Sequence, residues 1–99
     1  MYTEPKVYIE WDRVRNVVNK RKHGISFEEA QTVFYDPLTK VAHDTEHSEL
    51  EDRFIAVGYS FMNRLLLVVH CYKKRDQIIR IISARKLTRK ERKQFEESL

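Results

Sequence analysis

The stretch Phe54–Tyr72, FIAVGYSFMNRLLLVVHCY, decides the fold. Its two ends, Phe54–Tyr59 and Leu65–Tyr72, are dense in β-branched, aromatic and other apolar residues. Ser60–Asn63 between them has the length of a hairpin turn, so an antiparallel strand pair is predicted. A third run, Ile78–Arg85 (IIRIISAR), is equally rich in β-branched residues, and Arg75-Asp76-Gln77 is placed to turn the chain into it. Lys40–Asp44 is a weaker edge-strand candidate, and Val7–Glu10 reads as a short strand.

On either side of this meander the periodicity is helical. Val14, Val17 and Val18 recur at i, i+3 and i+4, which predicts a helix with one apolar face. Asp12 suits its N-cap, and Gly24 can stop it with a positive φ. Lys20, Arg21 and Lys22 fall in its last turn, where the helix dipole favours cations. Ser26-Phe27-Glu28-Glu29 fits a capping box opening a second helix, with Ile25 positioned to staple onto Ala30. Phe27, Ala30, Val33 and Phe34 form its apolar stripe, and Asp36-Pro37 ends it. Thr88-Arg89-Lys90-Glu91 is another capping box, opening a helix that runs towards Glu97. The expected fold is therefore α+β: two N-terminal helices and a C-terminal helix packed on one face of an antiparallel four-stranded sheet. One domain, residues 1–99, accounts for the length.

Composition narrows the classes. With 41% hydrophobic and 34% charged residues the chain is globular in character rather than disordered. The longest apolar run is Leu65–Val69, far short of the roughly 20 residues a helical membrane span needs. The opening MYTEPKVYIEW lacks the basic-then-apolar order of a signal peptide, so a cytoplasmic, non-membrane protein is expected. The single cysteine, Cys71, lies in an apolar strand and is expected to be buried and inert. The net charge is +4, but Lys73–Lys93 alone carries +8, while Asp44–Asp52 carries −5. A fold that gathers the first set on one face would attract polyanions. A solvated helix face with ordinary strand-end charges has the same composition.

The strand IIRIISAR carries most of the chemical information. In a regular strand Arg80 shares a face with Ile78, Ile82 and Ala84, and Arg85 falls on the opposite face with Ile79, Ile81 and Ser83. An arginine among isoleucines needs an anion. Glu51 or Asp52 could bridge to it structurally; a phosphate would suit its bidentate, permanently charged guanidinium. Glu51 and Arg53, two apart, point to the same side as a bridge or a catalytic pair. His70 is expected to be a strand histidine settled by a hydrogen bond. His43 and His47 have the H-x-x-x-H spacing but lie in a loop with no following helical acid, so no metal site is assigned. No Gly-rich phosphate loop is present, and no cofactor is expected. Metal-free RNA cleavage needs only a base for the 2′-OH, cations for the phosphorane and an acid for the leaving 5′ oxygen. His, Glu, Lys and Arg can fill those roles.

The chain resembles the BrnT toxins of bacterial type II toxin–antitoxin pairs. The likeness runs through Trp11-Asp12, Asn19, Lys22–Ala30 (KHGISFEEA), Val33-Phe34, Asp36-Pro37, Glu51–Gly58 (EDRFIAVG), Leu66–His70, Ile79–Lys86 and Thr88–Arg92. Arg15, where lysine is expected, and Tyr8-Ile9-Glu10 before Trp11 depart from the pattern. The resemblance implies a RelE-like ribonuclease fold and an RNA-cleaving toxin that arrests translation. It also implies a ribbon-helix-helix antitoxin, whose complex with the toxin binds operator DNA. On this reading Arg80 and Arg53 are the phosphate-binding cations, and Arg85 supports them. Glu51, Lys22 and His23 become candidates for proton transfer or charge stabilisation. Trp11 either stacks on a base or plugs the core. Lys86 and Arg89, with the basic helix they lead into, would follow an RNA backbone or receive an acidic partner. The alternative is a basic module that grips nucleic acid or protein without cleaving.

Overall fold

The computed structural model describes residues 7–48 and 51–99. Glu49 and Leu50 of the acidic stretch, and the first six residues of the N-terminal opening, lie outside them. The order is β1 (Tyr8–Trp11), α1 (Arg13–His23), α2 (Phe27–Ala30), a 3₁₀ turn (Gln31–Tyr35), β2 (Lys40–His43), β3 (Phe54–Tyr59), β4 (Leu65–Lys73), β5 (Ile78–Lys86) and α3 (Arg89–Glu97). The α+β expectation holds, but among the described residues the sheet has five strands and is mixed. Its order is β1-β5-β4-β3-β2. β2 to β5 pair antiparallel, while β1 joins the far edge parallel to β5, matching Tyr8 with Ile78 and Trp11 with Ile81.

The caps behave largely as the residues dictate. Asp12 accepts from the amides of Val14 and Arg15, which holds its carboxyl below the ordinary range, and Gly24 closes α1 at φ 73°. Ser26 caps α2 by accepting from the Glu29 amide, but Glu29 does not complete the predicted box. Its carboxylate turns inward instead, to Arg64 and to the Ser60 hydroxyl at 2.7 Å. Those hydrogen bonds, Arg64 foremost, lower its pKa. The second helix is correspondingly short, four α residues relaying into the 3₁₀ turn. Thr88 and Glu91 do form the full box at the start of α3.

The core lies on one face of the sheet. Ile25, Phe27, Ala30 and Val33 meet Ala56, Leu66, Val68, Ile81 and Ala84, all essentially inaccessible. Each of the larger side chains contributes roughly 2–3 kcal/mol by leaving water. His70 is buried on this face, with Nδ1 by the Val68 carbonyl at 3.2 Å and Nε2 by the Tyr72 hydroxyl at 3.1 Å. Burial pushes its pKa down. The expected settled histidine is therefore found, and Cys71 is buried as expected.

Three corrections concern facing. First, α1 presents its valines outward: Val14, Val17 and Val18 are 71%, 54% and 54% exposed. Asn19 is the residue it buries, donating Nδ2 to the carbonyls of Ile25 and Ala84 and accepting from the Ala84 amide. Second, the helices do not all cover one face. α3 crosses the opposite side, where Phe95 meets Tyr59 edge-on at 6.3 Å and shares a groove with Val57 and Leu67. Third, β5 is not regular. Val69 pairs with Ser83 and His70 with Ile81, so Ile82 is an extra residue in a bulge. Beyond it the alternation is reset. Ala84, not Arg85, joins Ile79 and Ile81 on the core face, and Arg80 and Arg85 share the other face.

Candidate functional site

α3 covers the end of the outer face nearest Tyr59 and leaves the rest open. Alternation along three neighbouring strands puts charge there. Arg80 lies opposite Cys71 and Arg85 opposite Leu67, four residues apart on β4. That separates the two arginines by about 13 Å along the strand at roughly 3.3 Å per residue. Arg53 enters the same face just before β3, two residues ahead of Ile55, and Lys73 ends β4 two residues past Cys71.

Every one of these cations has a carboxylate. Arg80 donates to Glu10 at 2.7 Å, so its structural partner comes from β1 and not from Glu51 or Asp52. Glu51 lies 3.9 Å from Arg53 and 3.4 Å from Lys73. Arg85 binds Glu91 through both terminal nitrogens, at 2.8 and 3.0 Å. That bond holds the Glu91 carboxyl at about 2 and raises the Arg85 guanidinium above its ordinary value. The pairs remain open: the side chains of Arg85 and Glu91 are 38% and 31% exposed. Cys71 sits beneath this surface, its thiol pushed up chiefly by burial and then by the charge of Glu51.

A cleft of about 370 Å³ opens between the acidic loop and α3. Ile55, Leu67 and Val69 form its apolar floor; Arg53, Ser83, Arg85, Glu91 and His47 form its polar rim. The loop is latched from within. The Asp44 amide donates to the Arg53 carbonyl at 2.8 Å, and the Arg53 amide to Ser48 Oγ at 3.0 Å. His47 Nδ1 rests on the buried Asp44 carboxylate at 3.1 Å, and among the described residues its Nε2 has no partner. An imidazole oriented through one nitrogen can exchange a proton through the other. His43 goes elsewhere, to Asp52 at 3.2 Å and against Phe54. The two histidines therefore take separate partners, and among the described residues no three potential ligands gather for a metal.

Of the predicted set, the structure puts Arg53 and Arg85 around one cleft, Glu51 beside Arg53, and Arg80 on the same face farther along β5. It sets the others apart. Trp11 is opposite Ile81 on the core face and meets Phe27 edge-on at 6.2 Å. Lys22 and His23 end α1, the layer that Asn19 pins to Ala84 on the core side. Lys86 is exposed opposite Leu66, also on the core side, and Arg89 is exposed in the first turn of α3. His47 is weighed in the sequence only as a metal ligand, and Glu10 and Glu91 are not among its site candidates. The D-x-x-H spacing of Asp44 and His47 was the available signal for the first.

Comparison with known proteins bears on the family and the fold. A profile for the family described as "Ribonuclease toxin, BrnT, of type II toxin-antitoxin system" matches residues 11–91. The fold is similar to the crystal structure of the Brucella abortus ribonuclease toxin BrnT, with a TM-score of 0.65 at 21% identity, over 85% of this chain and 100% of that one. No curated protein sequence matches the chain. No helix among the described residues is long and apolar enough to cross a membrane.

Proposed function

Since the chain belongs to the BrnT ribonuclease-toxin family of type II toxin–antitoxin systems, we propose that it is a metal-independent endoribonuclease working on the outer face of its sheet. The observation that carries this reading is that Arg53, Arg80 and Arg85 stand on one face of the sheet, with Arg53, Arg85 and His47 around one cleft and Glu51 beside Arg53. Each arginine is held by a carboxylate that an RNA phosphate can replace.

In the proposed reaction a carboxylate or imidazole, Glu51 or His47, takes the proton of a 2′-OH. The 2′ oxygen attacks the adjacent phosphorus, and the arginines stabilise the charge that gathers on the equatorial oxygens. The P–O5′ bond breaks, the 5′ oxygen receives a proton from the remaining acid, and a 2′,3′-cyclic phosphate is left. All the required groups are side chains of this face. Arg89, exposed in the first turn of α3, would extend contact along the RNA backbone, whereas Lys86 stands on the other side of the sheet. Cleavage in the cytoplasm would arrest translation. Family membership supports a cognate antitoxin, and the motif resemblance supports one of ribbon-helix-helix type whose complex binds operator DNA.

The test is RNA cleavage by purified protein in EDTA. The expected result is cleavage with cyclic-phosphate ends, lost on Arg80→Ala in a folded protein. Cleavage only with an added divalent cation would overturn metal independence, and full-strength cleavage by Arg80→Ala would remove that arginine from the site. RNA binding without cleavage would favour a binding module.

A further inference from the structure

α1 is inverted relative to an ordinary surface helix. Asn19 serves the interior, and Asn16 accepts from the Phe27 amide and donates to Glu28. The residues that usually seek a core, Val14, Val17 and Val18, stand in solvent. At 3.6 residues per turn the three valines form one stripe, which Arg21 extends by a turn. Arg13 and Lys20 run along one margin, Arg15 and Lys22 along the other. The helix contains no acid, and among the described residues none of these five cations is in an ion pair. The helix dipole accounts for Lys20, Arg21 and Lys22 but works against Arg13 and Arg15 in the first turn.

An apolar stripe bordered on both sides by unpaired cations is half of a helix pair. Its complement is an amphipathic helix with apolar residues at i, i+3 or i+4 and i+7, and carboxylates at both margins. A second copy of this chain does not fit, because it would set five cations against five. RNA would neutralise the cations and leave the valines in water. We propose that α1 is the docking surface for the cognate antitoxin, which covers it with an acidic amphipathic helix of two to three turns. The proposal rests on the family reading that an antitoxin exists, and it is independent of the cleavage chemistry.

The experiment compares wild type with Val14→Asp/Val17→Asp and with Arg13→Glu/Arg15→Glu. All four positions are exposed, and unchanged circular dichroism and melting confirm the fold. Calorimetric titration with the purified cognate antitoxin should show affinity weakened on the order of tenfold or more by each variant. RNA cleavage by the free toxin should stay at the wild-type rate. Wild-type antitoxin affinity in both variants overturns the proposal. So does weakened RNA binding with intact antitoxin binding, or a wild-type toxin dimer that the aspartates dissociate, which would make a second copy the occupant. A wild type that cleaves no RNA, with antitoxin affinity still falling in both variants, would sink the ribonuclease reading and leave this one standing.

Discussion

Two arginine–glutamate pairs sit on opposite faces of one sheet. Arg64 and Glu29 meet on the core side, where Glu29 is 3% exposed and also accepts from Ser60. Arg85 and Glu91 meet on the outer side, within reach of water. The chemistry of the two pairs is the same and their surroundings are not. Glu29 cannot readily exchange its partner, since parting would strand its carboxylate away from water, although Arg64 itself reaches solvent. An open pair can trade its carboxylate for another anion at little cost, because water covers the change. The first belongs to the fold and the second to the cleft.

The sharpest way to break this contrast is Arg64→Ala. It leaves the buried Glu29 carboxylate with Ser60 but without its cation, and we expect about 3 kcal/mol lost in denaturant unfolding. A loss comparable to that of an exposed pair would show that the core side is not sealed. Next comes Arg85→Ala. Stability should move by less than about 1 kcal/mol, while RNA cleavage falls by about 100-fold as transition-state charge loses a donor. Destabilisation as large as that of Arg64→Ala would collapse the distinction. The smallest effect concerns acid. Arg85 holds Glu91 at about 2, below the ordinary carboxylate value of 4.5. A depressed folded pKa means that the pair stabilises the protein above pH 4.5 and that this contribution is lost as pH falls from 4.5 to about 2. Glu91→Gln should flatten the stability profile in that window and, by releasing Arg85, tighten RNA binding at neutral pH. An unchanged profile would mean that the bridge adds nothing to the fold.

The sequence made some of these features plain and concealed others for physical reasons. The hairpin Phe54–Tyr72, the caps at Asp12, Ser26 and Thr88 and the stop at Gly24 rest on local interactions, which neighbouring residues specify. The parallel β1–β5 pairing joins segments some 70 residues apart, and nothing near Tyr8 encodes its partner. The stripe on α1 was visible as periodicity, but periodicity reports that a stripe exists and not what it faces. Arg80 stands out in the sequence through the cost of a cation among isoleucines, and strict alternation puts it and Arg85 on opposite faces because alternation cannot anticipate the extra residue Ile82. Glu51 and Arg53 came out as the same-side pair that their spacing suggested. His47 is weighed in the sequence only as a metal ligand with His43, because a loop has no period to place it; its latch to Asp44 and the fold around it bring it to the cleft.

Ile82 has a further consequence for how this gene can vary. It is slack in the strand. If its codon were lost, Ile81 would be followed by Ser83, and simple alternation would leave Ala84 pointing inward and Arg85 outward, as they do now. A codon gained beside it has no such refuge and would exchange the apolar and cationic halves of the strand's end. The strand should therefore tolerate shortening far better than lengthening. A relative one residue shorter at this point would keep both arginines on the cleft side, with only the local twist between them reduced.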